Sequence, residues 1–234
     1  MTTAPTPLIV AITGATGVVY GVRLLERLRE AGVPTHLVMS KWAIQTMLLE
    51  TDYTVEGVKR LATEVHSPDD FGAAISSGSF LTRGMVVAPC SMRTLAAIST
   101  GSGNNLVHRA ADVVLKERRT LVLLPREAPL SQIHLEHMLR LAKMGAVIFP
   151  PVPAFYQRPV TVDDLVDQTV MRVLDQFGKV GLHRAVGEVH GGALSGEAQV
   201  VPPRCAFGLA LCDSRVRRKL RAEGRAILLP PLVR

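Results

Sequence analysis

Leu8-Ile-Val-Ala-Ile12, Thr13-Gly-Ala-Thr-Gly17 and the stretch from Val18 to Glu30 follow one another without interruption. The first run is wholly aliphatic, too short for a helix, and fits a strand buried on both faces. The second carries two glycines where the chain must turn tightly and bring its backbone close to something else. The third places Leu24, Leu25 and Leu28 on one helical face, with Arg23, Arg27 and Arg29 mostly off it. Strand, glycine turn and amphipathic helix in that order open a βαβ unit.

The same alternation recurs to the end of the main body. Aliphatic runs at Thr35–Met39, Met85–Ala88, Thr120–Leu124 and Ala146–Phe149 are predicted strands. Helical spacing appears at Asn105–Arg118, with Leu106, Ala110, Val113 and Val114 inward, and at Ser131–Met144. A last helix is predicted over Val162–Phe177, with Thr161 as its N-cap and Asp164 three residues on. Strands and helices in alternation make an α/β protein of three layers, a parallel sheet wrapped on both faces. An aliphatic core agrees: hydrophobic residues make up 47% of the chain and aromatic ones only 4%, which favours buried parallel strands over a sandwich.

Composition narrows the class further. No run approaches the roughly 20 apolar residues of a membrane span, and MTTAPTP has no signal-peptide character. The three cysteines, Cys90, Cys205 and Cys212, have no metal-ligand spacing, so a reducing, cytoplasmic setting is expected. The net charge is +7, but residues 183–234 hold nine Lys/Arg and four Asp/Glu and carry most of it. Residues 1–182 are therefore expected to form the functional domain, and 183–234 a basic, Gly/Pro-rich extension rather than a second domain. A nucleic-acid partner would rest on that extension alone.

Ligands of such folds sit beyond the C-terminal ends of the strands, and the informative loops fall there. Thr13–Gly17 opens a helix whose unpaired N–H groups and dipole favour a phosphate. Its glycines (Gly14, Gly17, Gly21) lack the G-x-G-x-x-G spacing, and the second strand ends in Ser40-Lys41 with no acid for a ribose. Lys41 leaves a phosphate-bearing NADP open, but a mononucleotide such as FMN fits the missing acid better; a turn that binds nothing is the structural alternative. Pro89-Cys-Ser-Met-Arg-Thr94 offers Ser91 and Thr94 at another helix start, where capping alone would explain them. Cys90 reads as packing rather than as a nucleophile. Arg109 and Lys116 are seven residues apart on one helical face, with Asp112 placed to pair with both, as on any solvated face. Pro125-Arg-Glu-Ala-Pro129 sets a charged pair between prolines directly after a strand, which favours function over packing. His134, Glu136 and His137 lack a convincing further ligand, and no metal site is expected there. Tyr156 follows a proline-rich loop, with Arg172 sixteen residues later; by itself such a tyrosine is more often core.

Together these segments resemble the UbiX family of flavin prenyltransferases. TGATG, LVMSKWA, LETDYT, AAISSGSF, VVAPCSM, AADVVLKERR, LVLLPREAPLSQIHLEHML and PPVPAFY carry the resemblance, in that order, between residues 8 and 182. The wording SKWA and AAISSGSF is most similar to the branch associated with phenolic-acid and hydroxybenzoate decarboxylation systems. The resemblance implies a flavodoxin-like, Rossmann-like fold, FMN as the flavin, dimethylallyl monophosphate as prenyl donor, and no metal. It also implies homododecamers with active sites shared between subunits, and prenylated FMN, joined at N5 and C6, passed to a UbiD-type decarboxylase. Older usage calls such proteins decarboxylases themselves.

By the same resemblance Gly14, Ala15, Thr16, Ser40, Ser91, Met92, Arg93, Thr94 and Arg126 hold FMN. Arg109, Lys116, Tyr156 and Arg172 surround the donor phosphate, where cations and a phenol stabilise the leaving oxygens. Lys116, Glu127 and Glu50 are the catalytic candidates, the two acids for proton traffic. Two departures stand out. Thr16 replaces a serine of some relatives, and where many carry Arg-Trp after the last helix this chain reads Ala185-Val186-Gly187-Glu188. The competing reading is an FMN-binding flavoprotein without prenyl transfer, which has no evident need of Lys116, Glu127, Tyr156 and Arg172 together.

Overall fold

The computed structural model describes residues 6–178; the expected extension, the Cys205 and Cys212 positions and the Ala185–Glu188 departure lie outside them. The chain runs β1 (Leu8–Ile12), α1 (Val18–Glu30), β2 (Thr35–Met39), α2 (Lys41–Glu50), α3 (Val55–Lys59), β3 (Glu64–His66), β4 (Gly84–Cys90), α4 (Met92–Thr100) and α5 (Leu106–Lys116). It continues with β5 (Thr120–Pro125), α6 (Gln132–Lys143), β6 (Val147–Ile148) and α7 (Val162–Leu174). Short 3-10 turns cover Ala74–Ser76, Phe155–Gln157 and Asp175–Phe177.

All pairings are parallel and the sheet order is β3-β2-β1-β4-β5-β6. The five strands expected from the sequence are all present. Taken alone, in chain order, they follow the flavodoxin order, and the added β3 at the edge completes the Rossmann order. β3 escaped the sequence reading because it is three residues long and two of them, Glu64 and His66, are polar. Helices α2 and α3 were not anticipated either.

Successive residues of β1 serve opposite cores. Leu8, Val10 and Ile12 pack with Leu37, Val86 and Val122 under α1 and α7. Ile9 and Ala11 pack with Met85, Val87 and Leu123 under α4, α5 and α6. Burial on both faces is why the strands carry no alternating polar residues. Among the described residues no helix is long and apolar enough to cross a membrane. At the sheet edge His36 Nδ1 and His66 Nε2 share a 2.8 Å hydrogen bond, and burial holds the His36 imidazole below its ordinary pKa.

Of the α1 arginines, Arg29 is exposed, while Arg23 and Arg27 are off the core but largely withdrawn from solvent. Arg23 Nη1 and Arg27 Nη2 each donate at 2.9 Å to one carboxylate oxygen of Asp167, on α7, so that a single acid holds two guanidinium groups. Arg23 also pairs with Asp163 at 2.9 Å and Glu26 at 3.0 Å. The first turn of α7 carries the expected Thr161–Asp164 capping box. Loss of an acceptor from partly buried charged donors costs about 1–3 kcal/mol. Asp167→Asn is therefore expected to lower the unfolding free energy by about that amount, read by urea denaturation. Asp163→Asn, at a carboxylate 70% exposed, should change it by no more than about 0.5 kcal/mol.

Candidate functional site

The C-terminal ends of β1, β2, β4 and β5 are tied to one another by short bonds. Thr13, 2% exposed, donates its hydroxyl proton to the Pro89 carbonyl and accepts the Ser91 N–H, both at 2.8 Å. Ser40 N–H donates to Ile12 O at 3.0 Å, and Arg126 N–H to Cys90 O at 3.4 Å. These contacts gather the loops that hold Gly14, Ala15, Thr16, Ser40, Ser91, Met92, Arg93, Thr94, Arg126 and Glu127. This is the switch point of the sheet, where β1 is flanked by β2 and β4.

The helices at this end begin in two ways. Ser40 caps α2 by accepting the Ala43 N–H, and Ser91 caps α4 by accepting the Thr94 N–H, so both hydroxyls also serve their own helices. Ser91 Oγ further donates to Thr94 Oγ1 at 3.1 Å. Gly17 sits at φ +93°, a left-handed conformation that turns the first N–H groups of α1 out of the helix. Those groups are met by Glu50, at the end of α2: its Oε2 accepts from Gly17 N–H at 2.8 Å and from Val18 N–H at 3.2 Å. A donor pair that takes a carboxylate suits a phosphate for the same reason, so the loop fits the anionic end of a flavin mononucleotide. Gly14 is required by packing: a Cβ there would collide with the Cβ of Trp42 at the start of α2.

Lys116 is not gathered with these loops, and no bond joins Arg109, Tyr156 or Arg172 to them among the described residues. Lys116 ends α5 before β5 begins, whereas Arg126 and Glu127 follow the end of β5, about 20 Å away along the strand. Lys116 pairs with Glu117, whose carboxyl it holds below the ordinary range by hydrogen bond and charge. Asp112 pairs with Arg109 at 2.9 Å; no bond from Lys116 to it is found among the described residues, so the expected bridge between the two cations does not form. Arg109 Nε also donates to the Ser76 carbonyl at 3.2 Å. Arg172 pairs with Asp175 at 2.7 Å in the last turn of α7, and Tyr156 is 80% exposed. Glu127 is exposed and accepts the Ala128 N–H.

Several alternatives close. Cys90 is fully buried and burial pushes its thiol far up, so it packs and is no nucleophile. His134 completes the capping box of α6, Glu136 accepts from Gln132 and His137 bonds Ser99, so the three side chains serve separate partners. The roles of Thr13 and Trp42 escaped the sequence reading; a threonine at the first position after a buried strand, where its hydroxyl can reach across the sheet, was the available signal. Thr13→Val keeps the shape and removes both side-chain bonds. A loss of about 1–3 kcal/mol in unfolding free energy is expected, with weaker flavin retention on gel filtration.

The Flavoprotein family model matches residues 2–174. A probable UbiX-like flavin prenyltransferase of Bacillus subtilis is 61% identical over 171 residues, covering 73% of this chain and 84% of that one. The crystal structure of AnUbiX (PadA1) in complex with FMN and dimethylallyl pyrophosphate superposes with a TM-score of 0.74 at 55% identity, covering 74% of this chain and 93% of that one. A dodecameric FMN-dependent Ubix-like decarboxylase from Escherichia coli O157:H7 gives 0.73 at 61% identity, covering 74% and 95%. With the tied loops at the switch point and relatives this similar over the whole described fold, the chain belongs to the flavoprotein family, among its UbiX-like flavin prenyltransferases.

Proposed function

We propose that this chain binds FMN at the ends of β1, β2, β4 and β5 and joins a dimethylallyl group to it, with dimethylallyl monophosphate as donor. The observation that carries the reading is the set of loops tied through Thr13, which presents helix starts and hydroxyls at one switch point. It is joined by relatives named as flavin prenyltransferases and by a neighbour holding both FMN and a dimethylallyl ester. The reduced flavin supplies the nucleophilic ring atoms; the rest is the work of this chain's side chains. Gly14, Ala15, Thr16, Ser40, Ser91, Met92, Arg93, Thr94 and Arg126 line the flavin. Arg109, Lys116, Arg172 and the Tyr156 hydroxyl meet the donor phosphate and stabilise its oxygens as it leaves. Glu127 takes up the proton lost on ring closure, and Glu50, beside the first turn of α1, is the second acid of that traffic.

Lys116 lies away from the flavin loops within one chain, so the proposed site is completed by a neighbouring copy. Exposed apolar residues on α2 (Trp42, Leu48, Leu49) and α6 (Ile133, Leu135, Leu139) support assembly, as does the dodecameric relative. The product is proposed to pass to a UbiD-type decarboxylase in the cytoplasm.

Lys116→Ala and Glu127→Gln are expected to remain flavin-loaded and to lose about 100- to 1000-fold in transfer rate. The readout is the five-carbon mass increment of the flavin after incubation with reduced FMN and donor. Wild-type protein that never forms the adduct would refute the transferase and leave the passive flavoprotein. Co-expression of the two variants tests the shared site: if the residues meet across copies, about a quarter of sites hold both intact residues and activity returns. No recovery would place both in one chain's site.

A further inference from the structure

A group of polar side chains far from the proposed flavin chemistry is left unused by it. His36 on β2 stands in register with Glu64 on β3, and Val38 with His66. Residues in register on adjacent strands share a face, and so do residues two apart on one strand. The three side chains His36, Glu64 and His66 therefore converge on one face of the sheet edge. His36 Nδ1 lies 2.8 Å from His66 Nε2, and the Glu64 carboxylate oxygens lie 3.6 Å from the first and 3.7 Å from the second. The imidazoles are stacked with centroids 5.1 Å apart, and Phe80 closes on His36 edge-on at 4.9 Å.

We infer that His36, Glu64 and His66 form a binding site for a divalent cation of the zinc class, separate from the flavin loops. The ligand atoms all lie within 4.8 Å of one another. A tetrahedral zinc with bonds of about 2.0–2.1 Å sets its ligand atoms about 3.3 Å apart. The two nitrogens must open by roughly half an ångström; because the two contacts are made by different oxygens of Glu64, the carboxylate must also turn to bring one oxygen to both, from within 4.8 Å, by rotation about its side-chain torsions. Both histidines are buried at 8% exposure, while the Glu64 side chain is 55% exposed and leaves a route for the ion. Two imidazoles and one carboxylate without thiolate favour Zn²⁺, Ni²⁺ or Cu²⁺ over Mg²⁺ and Ca²⁺, and leave the fourth zinc position to water.

The site answers a structural need. β3 is an edge strand of three residues and pairs only with β2, through three register positions. A cation held by one residue of β2 and two of β3 crosslinks the pair at this short edge ladder. His36 precedes Ser40 by four residues, about 13 Å along the strand, so the cation takes no part in prenyl transfer.

Full-length protein without an affinity tag, stripped with chelator and desalted, tests the assignment. Zn²⁺ titrated by calorimetry is expected to bind one-to-one and to raise the melting temperature, and Co²⁺ to give the intense visible absorption of a four-coordinate site. Glu64→Gln, at an exposed position, should weaken Zn²⁺ by more than the ~10-fold that loss of an outer-shell partner costs. His66→Gln should abolish stoichiometric binding; because His66 is buried, its fold is checked by flavin retention, and Glu64→Gln decides if that variant is unfolded. Absence of saturable binding to the wild type overturns the site. So does unchanged affinity in Glu64→Gln and folded His66→Gln, which would move the metal to the remaining histidines.

Discussion

One hydroxyl joins the two halves of the sheet at the place where the ladder fails. The register of β1 against β4 ends at Ala11 and Val87, and two residues further on Pro89 has no N–H to offer. Thr13, at the end of β1, supplies the missing connection: its own N–H and its hydroxyl both donate to Pro89 O, and the same oxygen atom of the side chain accepts the Ser91 N–H. A hydroxyl can do this because it carries one proton and two lone pairs. The position of Ser91 then fixes the first turn of α4, and Arg126 is hung from Cys90 one residue earlier. The loops after three strands are thus placed by bonds to one another rather than by their own stiffness.

Those features that depend on neighbours in the chain were legible in the sequence; those that depend on distant partners were not. Thr161 and Asp164 announce the start of α7 because a capping box is closed within three residues. β1, β2, β4 and β5 show as aliphatic runs because both sheet faces are covered there. α2 shows no helical period, since Ala43 and Met47 are its only buried residues and Trp42, Leu48 and Leu49 face outward. The candidate site divides in the same way. Ser91 could be read as a cap, but Ser40 could not while α2 was unseen, and the carboxylate that meets α1 comes from Glu50, thirty-three residues beyond Gly17. Asp112 was equally spaced for Arg109 and Lys116, and only the fold decides that Lys116 turns to Glu117 instead.

The helix starts around the flavin cradle are satisfied by two different means, and the difference bears on what they can release. At α2 and α4 the capping hydroxyl belongs to the residue before the helix and forms part of its backbone turn. At α1 no capping side chain is local, and the N–H groups depend on a carboxylate from the next helix. A carboxylate and a phosphate repel each other on the same pair of donors. Glu50 is therefore the group that a phosphate at Gly17 must displace, which links the binding of an anion to the acid nearest it.

The two sets of site residues also differ in how firmly they are held. The flavin loops rest on Thr13, which is buried, and on strand ends covered on both faces. The proposed donor cations rest on local acids at exposed positions: Arg109 on Asp112, Lys116 on Glu117 and Arg172 on Asp175. Exposed pairs of this kind are screened by salt and gain little over hydrated partners. A phosphate with two charges and several acceptor oxygens competes well with one carboxylate for each of them. The cradle must keep its shape whether or not a ligand is present, because orientation of the flavin is its contribution. The cations need only be near and exchangeable, because their contribution is charge, and weak local pairs keep them extended and ordered at little cost until an anion arrives.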